Sequence, residues 1–242
     1  ENYAAMYQAK PNFLHSKDEI DTFATHSKII KLYNDTRVTA KKGEQKEYTH
    51  TTIPSKGENG KIIGGGKYNF SDPVHNNQLK DILSECIEHN YYPSILTLTQ
   101  KIGSYSCIHI DLDFRYDISV DKCQYSNDDL KMLIKIINNS INNLYDVPQH
   151  YINAYIFERK SGVVQQKDKN ITKDGIHILY PEVVTNTRSQ YILRENIIEE
   201  CTKSEIFSKN FKSINSPDDI VDKAVIEYNN WMLYGAKKSE RD

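Results

Sequence analysis

The amino-acid sequence predicts an α+β fold, and three observations support this class. The chain has 242 residues, of which 38% are hydrophobic, enough to bury one large core or two small ones. From residue 104 onward, segments with alternating apolar residues are interspersed with segments whose apolar residues recur every three or four positions. Their order is strand, helix, strand, strand, helix, which is typical of a ferredoxin-like or RNA-recognition-motif-like (RRM-like) sheet.

The N-terminal part, residues 1–93, predicts an additional α/β lobe with a linker. Ser16 and Glu19 form a capping box at the start of its first helix. A glycine run followed by Lys67 resembles a phosphate-binding loop but lacks the P-loop spacing, so a turn before a strand is the preferred interpretation. The predicted helices of this lobe span residues 16–33 and 76–89, and its strands span residues 48–53 and 68–70.

Residues 94–242 predict the RRM-like core. The strongest helix pattern begins at Ser126, a favourable N-cap residue, and residues 159–174 predict a polar loop. The predicted strands span residues 94–100, 104–114, 151–158 and 175–184, and the helices span residues 126–145 and 187–204.

Charge and cysteine content narrow the functional classes. A net charge of −2 argues against a basic module that coats duplex DNA, so nucleic-acid contacts must come from local patches. The four cysteines lie too far apart for the usual structural zinc site, and their placement predicts an intracellular, reduced protein. No apolar run is long enough to cross a membrane. Because the first residue is Glu1, the sequence is interpreted as a piece of a longer protein.

Two carboxylates lie on one face of the predicted strand 104–114. Alternation places Asp111 and Asp113 on the same face as Cys107 and His109, with an unbroken apolar face opposite. Paired carboxylates need a counter-charge, and a divalent metal is the usual one. The alternative is a strand end that frays into solvent.

A histidine follows the same logic on the predicted strand 175–184. His177 and Gly175 face away from the apolar positions, and Lys173 precedes them by two residues. Because the first and third strands of a ferredoxin-like sheet are neighbours, we expect His177 to lie near Asp111. The alternative is a structural histidine.

A third polar cluster lies near the C-terminus. Asp222 follows two β-branched residues, which indicates a strand end, and Gly235 precedes Lys237 and Lys238, which indicates a turn that presents ammonium groups. The alternative for the two lysines is a solvated tail.

These three stretches resemble the motifs of archaeo-eukaryotic primases of the PrimPol-like superfamily. The motifs are Asp-Leu-Asp at 111–113, Lys-Asp-Gly-Ile-His at 173–177 and Val-Asp at 221–222. The likeness is greatest to the N-terminal primase domain of the primase-helicases of nucleocytoplasmic large DNA viruses, of giant-virus and poxvirus kind, and it extends over residues 100–242.

The resemblance implies a role for each matching residue. Asp111, Asp113 and Asp222 would hold two catalytic ions, Mg²⁺ or Mn²⁺. The incoming triphosphate would be contacted by His177, Lys173, Lys237 and Lys238. Many relatives have serine where this chain has Gly175, so a backbone amide would replace the hydroxyl contact to phosphate.

The implied activity is template-dependent nucleotidyl transfer, with nucleoside triphosphates as substrates and short primers on single-stranded DNA as products. The implied partner is a C-terminal helicase in the same polypeptide, and the implied location is a viral replication site, cytoplasmic rather than nuclear. One alternative is a metal-dependent nuclease, although the acid-x-Lys pattern is absent at Asp111 and Asp113. Another is a non-catalytic nucleic-acid-binding module, which would carry aromatic residues on the open face of its central strands.

Overall fold

The computed structural model describes residues 17–56, 62–63, 65–91, 95–158 and 162–236. Its helices are α1 (Lys17–Thr36), α2 (Pro73–Glu88), α3 (Asn127–Leu144), α4 (Thr187–Ser204), α5 (Ile206–Lys209), α6 (Pro217–Ile220) and α7 (Ala224–Glu227). Its strands are β1 (His50–Thr52), β2 (Ser55–Lys56), β3 (Ile62–Ile63), β4 (Lys67–Tyr68), β5 (Leu98–Gln100), β6 (Tyr105–Asp117), β7 (Tyr155–Glu158), β8 (Val164–Gln166), β9 (Ile171–Asn186) and β10 (Trp231–Met232). Helices combined with antiparallel sheets confirm the predicted α+β class.

The chain forms two compact units. The first comprises Glu1–Lys101 with Met232–Asp242, and the second comprises Ile102–Trp231. The predicted division at residue 93 stays a prediction. Strand β5, which the sequence pattern assigned to the core, pairs with β1 because Thr51 faces Thr99 and the two side-chain oxygens lie 2.8 Å apart.

The first unit contains a four-stranded sheet in the order β10–β5–β1–β4. Helix α2 begins three residues before its predicted start because Asp72 caps it, accepting hydrogen bonds from the amides of Val74 and His75. Helix α1 confirms the predicted first helix, whereas its predicted capping residue, Ser16, lies outside the described residues. The core of this unit consists of Ile29, Leu32, Tyr68, Phe70, Leu79, Ile82, Cys86, Leu96 and Leu98.

In its described part, the glycine-rich run before Lys67 is an irregular segment that leads into β4, and the predicted turn stays a prediction. Gly65 has a φ of +75°, a conformation that glycine adopts without strain. A Cβ atom at Gly66 would lie 2.5 Å from the Tyr68 hydroxyl, so any other residue there would require the Tyr68 ring to shift. Gly64 lies outside the described residues. Strand β4 begins directly after this run, at Lys67.

The second unit is built on the strand order β6–β9–β7, with β8 also paired to β9. The predicted loop at residues 159–174 is wrong from Val164 onward, because residues 164–166 form β8 and β9 begins at Ile171. The reason is that β6 runs on to Asp117, and its backbone pairs with Ile171 at that end. The extension of β6 to Asp117 therefore extends its paired strand β9 back to Ile171.

An insertion interrupts the β6–β9 ladder. Cys107 pairs with Val184, but Ile108 pairs with Tyr180, so residues 181–183 of β9 have no counterpart on β6. Pro181 lies in this insertion, where its missing N–H costs no ladder hydrogen bond. The even-numbered residues of β9 up to Tyr180 face the core. Because the insertion has an odd number of residues, the alternation changes face after it, and Val184 points outward.

The inner face of the sheet packs against α3 and α4, as the sequence pattern predicts. Helix α3 has the capping box formed by Ser126 and Asp129, and α4 has its predicted bounds. The strand residues that this packing buries are Ile108, Ile110, Leu112, Phe114, Ile176, Ile178 and Tyr180.

The outer edge of β6 is covered by the segment 213–222. Asn215 Nδ2 donates to the carbonyl of Asp113 at 2.9 Å, and the amide of Asp222 donates to the carbonyl of Asp111 at 2.9 Å. Leu112 and Val221 form an isolated antiparallel bridge between these two contacts. The strand that carries Asp111 and Asp113 is therefore hydrogen-bonded on both sides.

All four cysteines belong to the described residues, and each is a free thiol. Among the described helices, none combines the length and the apolar character that a membrane crossing requires.

Candidate active site

The open face of the second sheet carries a row of four side chains. The bridge at Leu112 and Val221 puts Asp222 beside Asp111, while the ladders put His177 opposite Asp111 and Phe157 opposite His177. Directly opposed residues of a sheet share a face. The row therefore runs Asp222, Asp111, His177, Phe157, and the predicted proximity of His177 to Asp111 is confirmed.

Asp111 and His177 interact directly. The imidazole Nε2 lies 3.4 Å from Asp111 Oδ1, and the two side chains are 33% and 20% exposed for His177 and Asp111. Partial exposure keeps both groups accessible to a ligand on the open face. The carboxylate next to the imidazole restrains the orientation of the ring.

Trp231 packs against two histidines of this face. Its ring centroid lies 4.9 Å from that of His177 and 4.6 Å from that of His109. The indole is 7% exposed, so it is a packed side chain rather than an open stacking surface. His177 is thus held by Asp111 at Nε2 and by the indole against its ring.

His109 is a packed residue of the same face. Its Nε2 lies 3.4 Å from Cys107 Sγ, and its buried Nδ1 has no hydrogen-bond partner among the described residues. Burial lowers the pKa of His109 to about 4, so the imidazole is neutral near pH 7. Of the histidines on this face, His177 is the more exposed.

Asp222 is fixed by its own turn and by helix α4. Its Oδ1 accepts a hydrogen bond from the amide of Ala224 at 2.9 Å. Arg194, whose side chain is 5% exposed, donates from Nε to the carbonyl of Val221 at 2.8 Å and from Nη2 to the carbonyl of Asp218 at 2.8 Å. A buried guanidinium therefore holds the backbone within α6, at Asp218, and just after it, at Val221, directly before Asp222.

Gly175 lies opposite Asp113 on the same face. A Cβ atom at this position would lie 3.3 Å from the carbonyl oxygen of Leu112 and 3.7 Å from Asp113 Oδ1, which is a close fit. The amide of Gly175 donates to Asp174 Oδ1 at 2.8 Å. Its predicted role as a phosphate donor stays a prediction, and it would require this hydrogen bond to break.

A pair of basic residues lies one step further along the ladder. Lys173 faces Arg115, and both belong to the face of Asp113 and Gly175. The open face therefore changes from acidic at Asp111 to basic at Lys173. Lys237 and Lys238 lie outside the described residues, and their predicted contact to phosphate stays a prediction.

Sequence reasoning missed several residues of this face. Arg115 continues the alternation of Asp111 and Asp113, and ending the predicted strand at residue 114 hid it. Tyr155, which is 53% exposed, lies opposite Leu179 beside the row and gives the edge strand an aromatic side chain on the open face. No sequence pattern indicated a role for Trp231, because its contacts with His109 and His177 depend on how segments far apart in the chain fold together.

The carboxylates suit a divalent cation by type and by placement. Mg²⁺ and Mn²⁺ prefer oxygen ligands, and Asp111, Asp113 and Asp222 come from two adjacent backbone segments on one face. In the described part of the chain, however, no three potential ligands of the His, Cys, Asp and Glu types already converge on one point. Of the two carboxylate oxygens of Asp222, Oδ1 accepts the hydrogen bond from the amide of Ala224, which leaves Oδ2 as the oxygen for a cation.

Comparison with known proteins identifies the family of this chain. The protein named "Putative helicase L207/L206" from Acanthamoeba polyphaga mimivirus is 28% identical over 204 residues, which cover 84% of this chain. The chain spans only 20% of the length of that relative. Residues 61–242 match the family described as the C962R protein N-terminal AEP domain, where AEP denotes archaeo-eukaryotic primase. Because this match covers most of the chain, including all three aspartates and His177, the chain belongs to the C962R N-terminal AEP family, within the primase-like superfamily.

Proposed function

We propose that this chain is a DNA primase domain that joins nucleotides on a single-stranded DNA template. The observation that carries the proposal is the row of Asp222, Asp111 and His177 across three adjacent backbone segments, with Asp113 beside it. Membership of a primase-like family supports it.

The proposed fold of the second unit is RRM-like. Its strand order β6–β9–β7 is first, third, second when the short β8 is left out, and two helices, α3 and α4, pack on one face. The segment 213–222 occupies the edge where a fourth strand would pair with β6. Such a sheet presents its open face to substrate, and here that face carries the acidic row.

Asp111, Asp113 and Asp222 are the proposed ligands of two Mg²⁺ or Mn²⁺ ions. When bound, these ions would supply positive charge next to the reacting phosphate and would favour deprotonation of the attacking hydroxyl. The chain itself holds the aspartates in place through the backbone hydrogen bonds on both sides of β6. In the proposed reaction, the 3′-oxygen forms a bond to the α-phosphorus while the bond to pyrophosphate breaks.

His177, Lys173 and Arg115 are the proposed contacts of the triphosphate. His177 can donate a hydrogen bond from a ring that Asp111 and Trp231 hold in position. Lys173 and Arg115 place two positive charges further along the same face, where the leaving pyrophosphate accumulates negative charge. Lys237 and Lys238 would add to this charge.

The proposed context is a longer viral replication protein. A relative that is named a helicase, and of whose length this chain spans only 20%, supports a helicase in the same polypeptide. Location at a cytoplasmic site of viral replication is part of the same proposal.

The test is a synthesis assay on single-stranded DNA with nucleoside triphosphates, no primer, and Mg²⁺ or Mn²⁺. We expect short products from the wild type and none from Asp111→Asn. The matched control is Asp117→Asn, since Asp117 lies on the same strand but at its exposed end, where it accepts hydrogen bonds from Ser119. This control should retain synthesis.

Three other results would contradict the proposal. Cleavage of the template without nucleotides, lost in Asp111→Asn, would indicate a nuclease instead. Equal synthesis by Asp111→Asn and wild type would show that this carboxylate is not catalytic. Binding of nucleotide with metal but no synthesis, even with the full-length protein, would reduce the domain to a nucleotide-binding module.

A further inference from the structure

The first unit carries two lysines over one tyrosine ring. The ammonium nitrogen of Lys67 lies 4.5 Å from the centroid of the Tyr48 ring, and that of Lys101 lies 4.7 Å from it. Both lysines are exposed, and the ring is half-buried. An aromatic face attracts a cation, so the ring fixes two otherwise mobile side chains at one place.

The backbone explains why these three residues meet. The amide of Thr49 donates to the carbonyl of Tyr68 at 2.9 Å, and the amide of Lys101 donates to the carbonyl of Thr49 at 2.8 Å. The segment that carries Tyr48 is thus hydrogen-bonded to the strands on both of its sides. Lys67 comes from one neighbour and Lys101 from the other. The cluster is therefore a product of the sheet, and it spans three adjacent segments.

In the part of the chain that the structure describes, no acidic side chain neutralises the two charges. Within the described ranges, neither Lys67 nor Lys101 forms an ion pair, whereas Lys28 on α1 pairs with Glu85 at 2.7 Å. Two like charges at one ring repel each other, and an anion that contacts both relieves that repulsion. The chain as a whole has a net charge of −2, so this local pair, rather than the overall charge, can attract a polyanion.

We infer that Tyr48, Lys67 and Lys101 form a binding surface for the phosphodiester backbone of single-stranded nucleic acid. The inference rests on the proposed function, because the strand that would lie here is the template. Fixed ammonium groups beside an aromatic ring are the usual elements of surfaces that bind single strands without sequence preference. An exposed cluster that extends across three segments suits an extended polyanion better than a single small anion.

The test measures the affinity of the whole chain for a fluorescent oligothymidylate as the salt concentration is raised. Each phosphate contact on a single strand contributes about 0.7 to the slope of log K against log salt. We therefore expect Lys67→Gln with Lys101→Gln to reduce the magnitude of the slope by about 1.4. The matched control, Lys80→Gln with Lys135→Gln, removes the same charge from exposed positions on α2 and α3 and should leave the slope unchanged.

The ring is tested separately. Tyr48→Phe keeps an aromatic face and should retain the affinity, whereas Tyr48→Leu should weaken binding about two- to fivefold, because the lysines lose their cation–π contacts. Far-ultraviolet circular dichroism and the unfolding midpoint of each variant show whether the sheet remains intact.

The outcomes separate this surface from the proposed activity. An equal slope for the lysine pair and its control overturns the surface, and primer synthesis by the wild type then leaves the proposed function standing. A selective loss of slope in the lysine pair, with no synthesis by the wild type under any condition, supports the surface and overturns the proposed function. A loss that is as large in the control shows a general charge effect and also overturns the surface.

Discussion

Replacing Arg194 by methionine tests how the segment before Asp222 is held. Methionine has a similar length but no donors, so the substitution removes the hydrogen bonds to the carbonyls of Val221 and Asp218. The backbone of Val221 is buried, and its carbonyl would be left without a donor. The substitution therefore tests how the segment is anchored without changing Asp222 itself.

The size of the expected loss in stability depends on which hydrogen-bond partners of Arg194 can be hydrated after the substitution. The carboxylates of Asp218 and Glu195 are 68% and 67% exposed, so they are hydrated once the guanidinium is gone and contribute little. The lost charge-assisted bonds and the unsatisfied carbonyl of Val221 together cost about 2–4 kcal/mol. This is a large part of the stability of an ordinary domain, which is about 5–15 kcal/mol.

Urea unfolding measured by tryptophan fluorescence is the assay, because Trp231 is the single tryptophan and belongs to the second unit. The control is Lys203→Met on the same helix, which removes an exposed cation paired with Glu199 and Glu200 and should leave the unfolding midpoint nearly unchanged. In the folded Arg194→Met variant, metal-dependent nucleotide binding should also weaken. Equal midpoints for the two variants would refute the reasoning that Arg194 anchors this segment.

Three further predictions concern single side chains. Trp231→Leu should raise the KM for nucleotide more than it lowers kcat, because His177 loses the ring that holds it, and Trp231→Phe should restore most of the loss in steady-state assays. Gly175→Ser should lower the free energy of unfolding by about 1 kcal/mol, because the new Cβ would lie 3.3 Å from the carbonyl oxygen of Leu112. An unchanged midpoint in urea titration would show that the two strands accommodate the Cβ without strain. Burial lowers the pKa of His50 to about 4. The unfolded chain, with a histidine pKa near 6.5, therefore binds the proton first, and His50 alone should contribute about 3 kcal/mol to the fall in stability between pH 6.5 and 4. Unfolding of His50→Gln followed across this range should show a correspondingly smaller fall.

The sequence predicts local elements well where periodicity is strong. Helix α3 is marked by Ser126 and an apolar stripe, and α4 follows Asn186, whose side chain caps it. The faces of β6 and β9 follow from alternation alone. The extension of β9 back to Ile171 did not follow, because Lys173 and Asp174 resemble loop residues until their pairing with β6 is known.

The candidate site was predictable where family motifs and alternation coincide. Asp111, Asp113 and His177 share a face because a ladder joins their strands, and the expected topology brings these strands together. The anchoring by Arg194 and the packing by Trp231 were not predictable. Both depend on tertiary contacts between segments far apart in the chain, which no local pattern encodes.

The interleaved order of the two units has a consequence for folding during synthesis. The second unit, Ile102–Trp231, is one continuous stretch, whereas the first unit has Met232 and the residues after it as a late part. Strand β10 is an edge strand of the first sheet. On the ribosome, the second unit can therefore complete its core before the first sheet receives its last strand. A stalled nascent chain that has emerged from the ribosome only as far as Trp231 should protect the β6–β9 ladder from hydrogen exchange while the edge of β5 remains exposed to it.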